Sequence, residues 1–187
     1  AWYLDRAGAL CRKAGFKSIL YRGDTDFTQT RYLDSWDDRG RRFIFGIDAM
    51  ANLLERAENL RKTRWKPLHR PPKYEIHTAP RQARENIKEE IVRDRKFKNI
   101  RLTSEEIAEF NYSPTACEKS YRVVVVRKNL SVEKGDQMLF DDIRYFFYIT
   151  NVWDLSASEV VFCANDRCNQ ENLIEQLKNG VKAMNMP

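Results

Sequence analysis

Between Ile107 and Thr150 the chain contains several runs rich in the β-branched and aromatic residues that favour strands. Tyr121 to Val126 is one such run, and two more extend from Leu139 to Ile143 and from Arg144 to Thr150. Gly135 interrupts the pattern where a hairpin turn is expected. The sequence therefore predicts a block of antiparallel strands in the second half of the chain.

The segments before this block alternate between helix and strand. Residues 1–14 space their apolar side chains as an amphipathic helix does, with Leu4 and Leu10 among those predicted on the buried side. Residues 18–21 and 43–45 have the apolar character of short buried strands. Helices are predicted after each strand, from Thr28 to Asp38 and from Ala49 to about Arg61, and Asp48 is predicted to cap the second one. This alternation is typical of α/β proteins.

The composition fits a globular chain with a moderate bias toward polyanions. Of 187 residues, 42% are hydrophobic, and the net charge is +6. Residues 61–100 contain thirteen Lys and Arg against five Asp and Glu, together with four prolines that suggest a boundary. The four cysteines form no Cys-x-x-Cys pair, which disfavours a structural zinc site. No apolar run approaches the roughly 20 residues of a membrane span.

Two acidic residues stand out by their position. Asp24 follows the strand predicted at residues 18–21, and open α/β sheets place their chemistry at the carboxyl ends of strands. The alternative is an ordinary helix-capping aspartate. Glu171 lies four residues after Arg167 and seven before Lys178, so all three fall near one face of a helix. The alternative here is a solvated charged face.

The segments around both acidic residues resemble motifs of a known family. The run Arg22-Gly23-Asp24-Thr25-Asp26-Phe27 resembles the block around the second catalytic aspartate of bacterial cut-and-paste insertion-sequence transposases, which belong to the Asp-Asp-Glu class. Arg167, Glu171 and Lys178 resemble the tyrosine-arginine-glutamate-lysine signature of the same family. Ala164 stands where the family has its tyrosine. The resemblance covers essentially the whole chain.

The resemblance implies an α/β fold with a partial RNase H-like core that is interrupted by a mainly β insertion domain. Residues 1–50 and 155–187 would form the core, and residues 51–154 would form the insertion. Asp24 and Glu171 are 147 positions apart, which is far more than a plain core of this type needs. The family's first aspartate would lie upstream of Ala1. We therefore expect the chain to be part of a longer enzyme and to be inactive alone.

The resemblance also implies a chemistry. Asp24 and Glu171 would be catalytic ligands of two Mg²⁺ or Mn²⁺ ions, which promote phosphodiester cleavage and strand transfer in DNA transposition. Arg167 and Lys178 would bind DNA phosphates. The implied partners are double-stranded transposon ends with terminal inverted repeats, target DNA and a second copy of the enzyme in a synaptic homodimer. The expected location is cytoplasmic and nucleoid-associated, with no membrane contact.

Two aromatic residues are weaker candidates for DNA contact. Transposases of this class can stack a flipped base on an aromatic residue of the insertion, and Trp153 is a candidate. Trp153 could instead close the small β core, and Trp65 is an alternative DNA contact. The run Phe146 to Tyr148 is predicted to be core.

Two other function classes remain open at this point. The first is a related RNase H-like metal-dependent nuclease without strand transfer. The second is a non-catalytic module for DNA binding or assembly.

Overall fold

The structure is a computed structural model that describes residues 1–71, 87–134 and 137–166. The elements are α1 (Trp2–Lys13), β1 (Leu20–Gly23), α2 (Leu33–Asp38), β2 (Arg42–Ile47), α3 (Ala51–Glu58), β3 (Lys66–Pro67), α4 (Ile87–Asp94), β4 (Lys98–Tyr112), β5 (Tyr121–Lys134), β6 (Gln137–Thr150) and α5 (Ala157–Asn165). One six-stranded mixed sheet organises these residues, in the order β1-β2-β6-β5-β4-β3. Strands β1 and β2 are parallel, and the other neighbouring pairs are antiparallel.

The α/β class predicted from the sequence is confirmed at this level. The predicted strands after Tyr121 form two long strands, β5 and β6, which pair as a hairpin. Residues 135–136, where Gly135 was predicted to turn the chain, lie outside the described residues. β4 begins at Lys98, nine residues before the strand-rich region that the sequence indicated. Helix α4 begins at Ile87 within the charged stretch that precedes this strand.

The sheet packs on both of its faces because side chains alternate along each strand. One face carries Val123 and Val125 and packs against α2 and α3 through Trp36 and Leu53. The other face carries Val124 and Val126 and packs against α5. All five valines of β5 are almost completely buried. β5 is therefore a central strand, and β6 joins it to the parallel pair β1 and β2.

Three predictions about side-chain environment are wrong. Leu10 is 60% exposed because α1 packs through Gly8, which lies off the predicted apolar side. Phe146 is 42% exposed, since its neighbour Phe147 alternates into the core. Trp65 is buried beneath the guanidinium of Arg127, whose Cζ lies 4.3 Å from the ring centroid, so Trp65 is not available to stack on DNA.

Helix α1 approaches the sheet closely at Gly8. A β-carbon at this position would overlap Tyr21 Oη and would lie 3.3 Å from Arg41 Cζ. In a helix, replacing Gly with Ala normally stabilises by about 1 kcal/mol, whereas overpacking a core costs about 1–3 kcal/mol. Because Tyr21 is buried, we expect overpacking to dominate.

The Gly8→Ala variant should therefore lower the free energy of unfolding by about 1 kcal/mol, measured by urea denaturation. In a protein that already carries Tyr21→Phe, the overlapping oxygen is absent. Adding Gly8→Ala to that variant should therefore lower the free energy of unfolding much less than it does in the wild type. A stabilised Gly8→Ala single variant would show that α1 does not pack as described.

Candidate functional site

The parallel strands β1 and β2 end side by side, and a cleft of about 410 Å³ opens beyond their carboxyl ends. This is the edge at which open α/β sheets bind ligands. Two polar loops enter the cleft because each strand is followed directly by an aspartate. The lining comprises Gly23, Asp24, Thr25, Gly46, Ile47, Asp48, Ala49, Tyr145, Phe146, Phe147, Tyr148, Ala164 and Asn165.

Asp24 is half-buried at this cleft, and its Oδ1 atom is buried. It precedes a single helical turn, Thr25–Phe27, but within this described segment its side chain makes no capping hydrogen bond. Asp24 therefore occupies the N-cap position of this turn without the side-chain hydrogen bond of a cap. The backbone around Asp24 is held by Thr28, whose hydroxyl donates to the carbonyl oxygens of Asp24 and Gly46. Asp24 thus stands on a fixed turn between the two strand ends.

Asp48 is the residue that the sequence analysis assigned wrongly. Met50, two residues later, is the N-cap of α3, and no side chain in this described segment caps that helix. Asp48 instead lines the same cleft as Asp24 and is exposed. The signal was present in the sequence, because Asp48 follows strand β2 just as Asp24 follows β1. The cleft therefore holds two carboxylates on adjacent strand ends.

Helix α5 reaches the cleft with its last turn. Its start is fixed by a capping box, in which Ser156 Oγ accepts from Glu159 N while the Glu159 carboxylate accepts from Ser156 N. At its other end, Ala164 and Asn165 line the cleft, and Tyr148 Oη donates to Asn165 Oδ1 at 3.3 Å. Ala164 therefore faces the same space as Asp24.

A hydrogen bond from Arg22 connects strand β1 to the end of α5. Its Nη1 atom donates to the carbonyl oxygen of Cys163 at 2.8 Å. Because Arg22 is two residues before Asp24, this bond fixes the point at which the chain leaves α5 relative to the aspartate. The residues predicted next along the chain, Arg167, Glu171 and Lys178, lie outside the described residues.

Trp153 lies away from the cleft. Its neighbour Asp154 accepts a hydrogen bond from Arg42 Nη2 at 2.6 Å, and Arg42 begins strand β2. Asp24 lies beside Gly46, near the other end of that strand, so roughly 13 Å of strand separates Arg42 from the level of Asp24. Trp153 is 59% exposed and does not close the β core. Its role in DNA contact remains a prediction, at a place remote from Asp24.

The oxygen atoms that line the cleft are of the right kind for Mg²⁺, but the described residues supply too few carboxylates for a complete site. Carboxylate and amide oxygens are the ligands that Mg²⁺ prefers, and Asp24, Asp48 and Asn165 supply them. Among the residues that the structure describes, no group of three His, Cys, Asp or Glu side chains is close enough to hold a metal ion. A complete site would therefore need a further carboxylate from outside these residues.

Comparisons of the chain with protein-family models, curated proteins and solved structures found no match. Among the described residues, no helix combines the length and apolar character needed to cross a membrane.

Proposed function

We propose that this chain is part of the catalytic domain of a DNA transposase that cleaves transposon ends and transfers strands with the help of Mg²⁺ or Mn²⁺. One observation carries the proposal. Asp24, from the first resembled motif, lines the same cleft as the end of α5, after which the second motif begins. Asp24 and the end of α5 are far apart in sequence, and the fold brings both to one cleft.

The proposed fold is an RNase H-like core extended by a β-rich insertion. Its support is the parallel pair β1 and β2, with an aspartate at the end of β1 and α5 packed across the sheet. In this proposal the insertion strands β4, β5 and β6 continue the core sheet, because β6 pairs directly with β2. The family's first aspartate would be supplied by residues upstream of Ala1.

Each residue of the proposed site has a separate task. Asp24 and Glu171 hold the divalent ions, and Asp48 adds negative charge beside them. When bound, the ions polarise the scissile phosphate and stabilise the leaving oxygen. The planar guanidinium of Arg167 binds one phosphate through two hydrogen bonds, and the ammonium group of Lys178 binds another as a compact positive charge. Arg22 holds the end of α5 at Cys163 close to β1, the strand that Asp24 follows.

The test is a strand-transfer assay with the enzyme that carries the upstream segment, on DNA with and without its terminal inverted repeats. A transposase should join the cleaved 3′ ends to target DNA in the presence of Mg²⁺, and should do so as a homodimer. Cleavage without joining would favour the related nuclease. Binding of DNA with neither reaction would favour a non-catalytic assembly module and would contradict the proposal.

The charges of the second motif give a separate prediction. Arg167→Ala and Lys178→Ala should each weaken DNA-end binding and reduce the slope of log K against log salt by about one unit for each phosphate that the variant no longer binds. Glu171→Gln should leave binding nearly intact while abolishing cleavage, since it removes a ligand's charge and keeps its shape. Fluorescence anisotropy across a salt series measures the slope.

A solvated charged helix predicts a different result. Its charges would pair only with one another, so each substitution would cost roughly 0.3–0.5 kcal/mol of stability. The salt slope of DNA binding would then stay unchanged, and normal cleavage by Glu171→Gln would contradict its proposed role.

A further inference from the structure

Strands β4, β5 and β6 extend past the core as a three-stranded arm with an exposed apolar surface on one face. The arm comprises residues 98–105, 128–134 and 137–144. Directly paired residues share a face of a sheet, so Ile100, Val132 and Phe140 lie side by side. Leu102 lies one repeat along β4 on the same face. Ile100, Leu102 and Phe140 are each about half exposed, and we call these three side chains the arm patch.

Basic residues flank the arm patch at both ends. Lys98 lies on the same face of β4, two residues before Ile100, and its Nζ atom lies 5.6 Å from the centroid of the Phe140 ring. Lys134 is directly opposite Lys98 on β5. At the other end of the patch, the side chain of Arg144 is 51% exposed.

In the described part of the arm, the acidic residues on this face already contact cations. Asp142 Oδ2 accepts from Arg144 Nε at 2.8 Å. Glu105 Oε1 lies 3.2 Å from Lys128 Nζ, and Glu105 Oε2 lies 2.6 Å from Arg70 Nε. The charge left over around the arm patch is therefore positive. Such a surface fits a partner that is apolar in the middle and acidic at its border.

Helix α4 has a face of this kind. At the i, i+3, i+4 and i+7 spacing of a single helix side, two isoleucines combine with two acidic residues. These residues are Ile87, Glu90, Ile91 and Asp94. Ile87 is 66% exposed and Ile91 is 43% exposed, and both acidic residues are exposed. The isoleucines are roughly 6 Å apart along the helix, close to the roughly 6.7 Å that separates Ile100 from Leu102 along β4.

Helix α4 lies on the far side of its own arm from the arm patch. Glu89, on the opposite side of α4 from Ile87, has its Oε1 atom 3.8 Å from Arg101 Nη2. Arg101 lies between Ile100 and Leu102 in β4, so its side chain points to the other face of the arm. The acidic apolar face of α4 is therefore turned away from its own arm and is available to a second molecule.

We propose that the arm patch binds helix α4 of a second copy of this chain, in a dimer with two-fold symmetry. In each contact the isoleucines of α4 pack on the arm patch, and Glu90 and Asp94 lie toward Lys98. The two-fold arrangement makes two equivalent contacts and uses both surfaces of each copy. The contact needs neither DNA nor metal, so its test is independent of the proposed reaction.

Sedimentation equilibrium of the chain at concentrations up to about 100 µM measures the dimer. Wild type should dimerise, whereas Leu102→Asp removes the apolar character of the arm patch and Ile91→Asp does the same for α4. Each variant should raise the Kd about ten-fold for each of the two contacts, and so about a hundred-fold in all. Ile143→Asp makes the same change at a 53% exposed position on the other face of the arm and should dimerise as wild type does.

A mixture of the two weakened variants tests the pairing itself. Leu102→Asp keeps α4 intact and Ile91→Asp keeps the arm patch, so a mixed pair restores one of the two contacts. The mixture should therefore associate about ten-fold more tightly than either variant alone. Circular dichroism checks that each variant is folded. If either is not, Glu90→Lys replaces an exposed acidic residue, and it should weaken the dimer several-fold because it places a cation beside Lys98.

Three results would overturn the proposal. They are a monomeric wild type, a dimer that Leu102→Asp or Ile91→Asp leaves unchanged, and a mixture that associates no more tightly than the single variants. A monomeric wild type whose binding of duplex DNA is weakened by Leu102→Asp would assign the arm patch to DNA instead.

Discussion

Replacing Asp24 with Asn is expected to reduce Mg²⁺-dependent cleavage by the complete enzyme about a thousand-fold or more. The substitution keeps the size of the side chain and removes the negative charge that holds a divalent ion. Metal-ion stabilisation of a phosphoryl transition state contributes several kcal/mol, and each 1.36 kcal/mol changes the rate about ten-fold. Single-turnover cleavage of a labelled transposon end measures the loss.

Two matched variants sharpen this test. Asp48→Asn makes the same chemical change in the same cleft, and we expect it to raise the Mg²⁺ concentration needed for half-maximal cleavage while saturating Mg²⁺ restores much of the rate. Asp26→Asn changes an exposed aspartate on the same turn and should cleave normally. Equal losses in Asp24→Asn and Asp26→Asn would indicate a general effect on the turn and would contradict the proposed role of Asp24.

Replacing Arg122 with Met is expected to give the largest loss of stability, about 3 kcal/mol. The Arg122 side chain is 8% exposed and donates to Glu109 Oε2, to Val152 O at 3.1 Å and to Leu155 O at 2.7 Å. These carbonyl oxygens belong to the segment that connects β6 to α5, so the substitution should also loosen α5. Urea denaturation and hydrogen exchange of residues 157–162 are the measurements.

Arg127→Met in the same strand is the matched control. Like Arg122 with Glu109, Arg127 donates from Nε and Nη2 to one carboxylate oxygen, Glu106 Oε2, and its guanidinium lies over the Trp65 ring. Its described hydrogen bonds include none to the segment before α5. We expect a loss of about 1 kcal/mol for this variant, from a half-exposed pair and a cation–π contact, with no change in α5 exchange. Equal losses for the two variants would mean that Arg122 does not anchor that segment.

The sequence was sufficient for the features that depend on local pattern. The strand predicted at residues 43–45 lies within β2, the helix predicted from Thr28 to Asp38 forms α2 over Leu33–Asp38, and the strands predicted after Tyr121 form the hairpin of β5 and β6. Asp24 was found because an aspartate follows an apolar run, a signal contained in a few residues. Such features need little information from the rest of the fold.

Features decided by tertiary contacts were harder to predict. Helix α1 packs through Gly8 because only a glycine lets it approach Tyr21, although hydrophobicity alone favours the side with Leu10. Asp48 resembles a helix cap in sequence, and only the parallel pairing of β1 and β2 shows that it shares a cleft with Asp24. Trp65 is buried because Arg127, distant in sequence, lies across its ring.

The most direct test of a shared metal site is an anomalous-difference map from crystals of the complete enzyme that contain Mn²⁺ and a transposon end. We expect Mn²⁺ peaks bound by both Asp24 and Glu171, with the two carboxylates within about 10 Å of each other, a generous bound for a pair of ions roughly 3.5–4 Å apart. Carboxylates much farther apart, or Mn²⁺ bound without Asp24, would contradict this expectation.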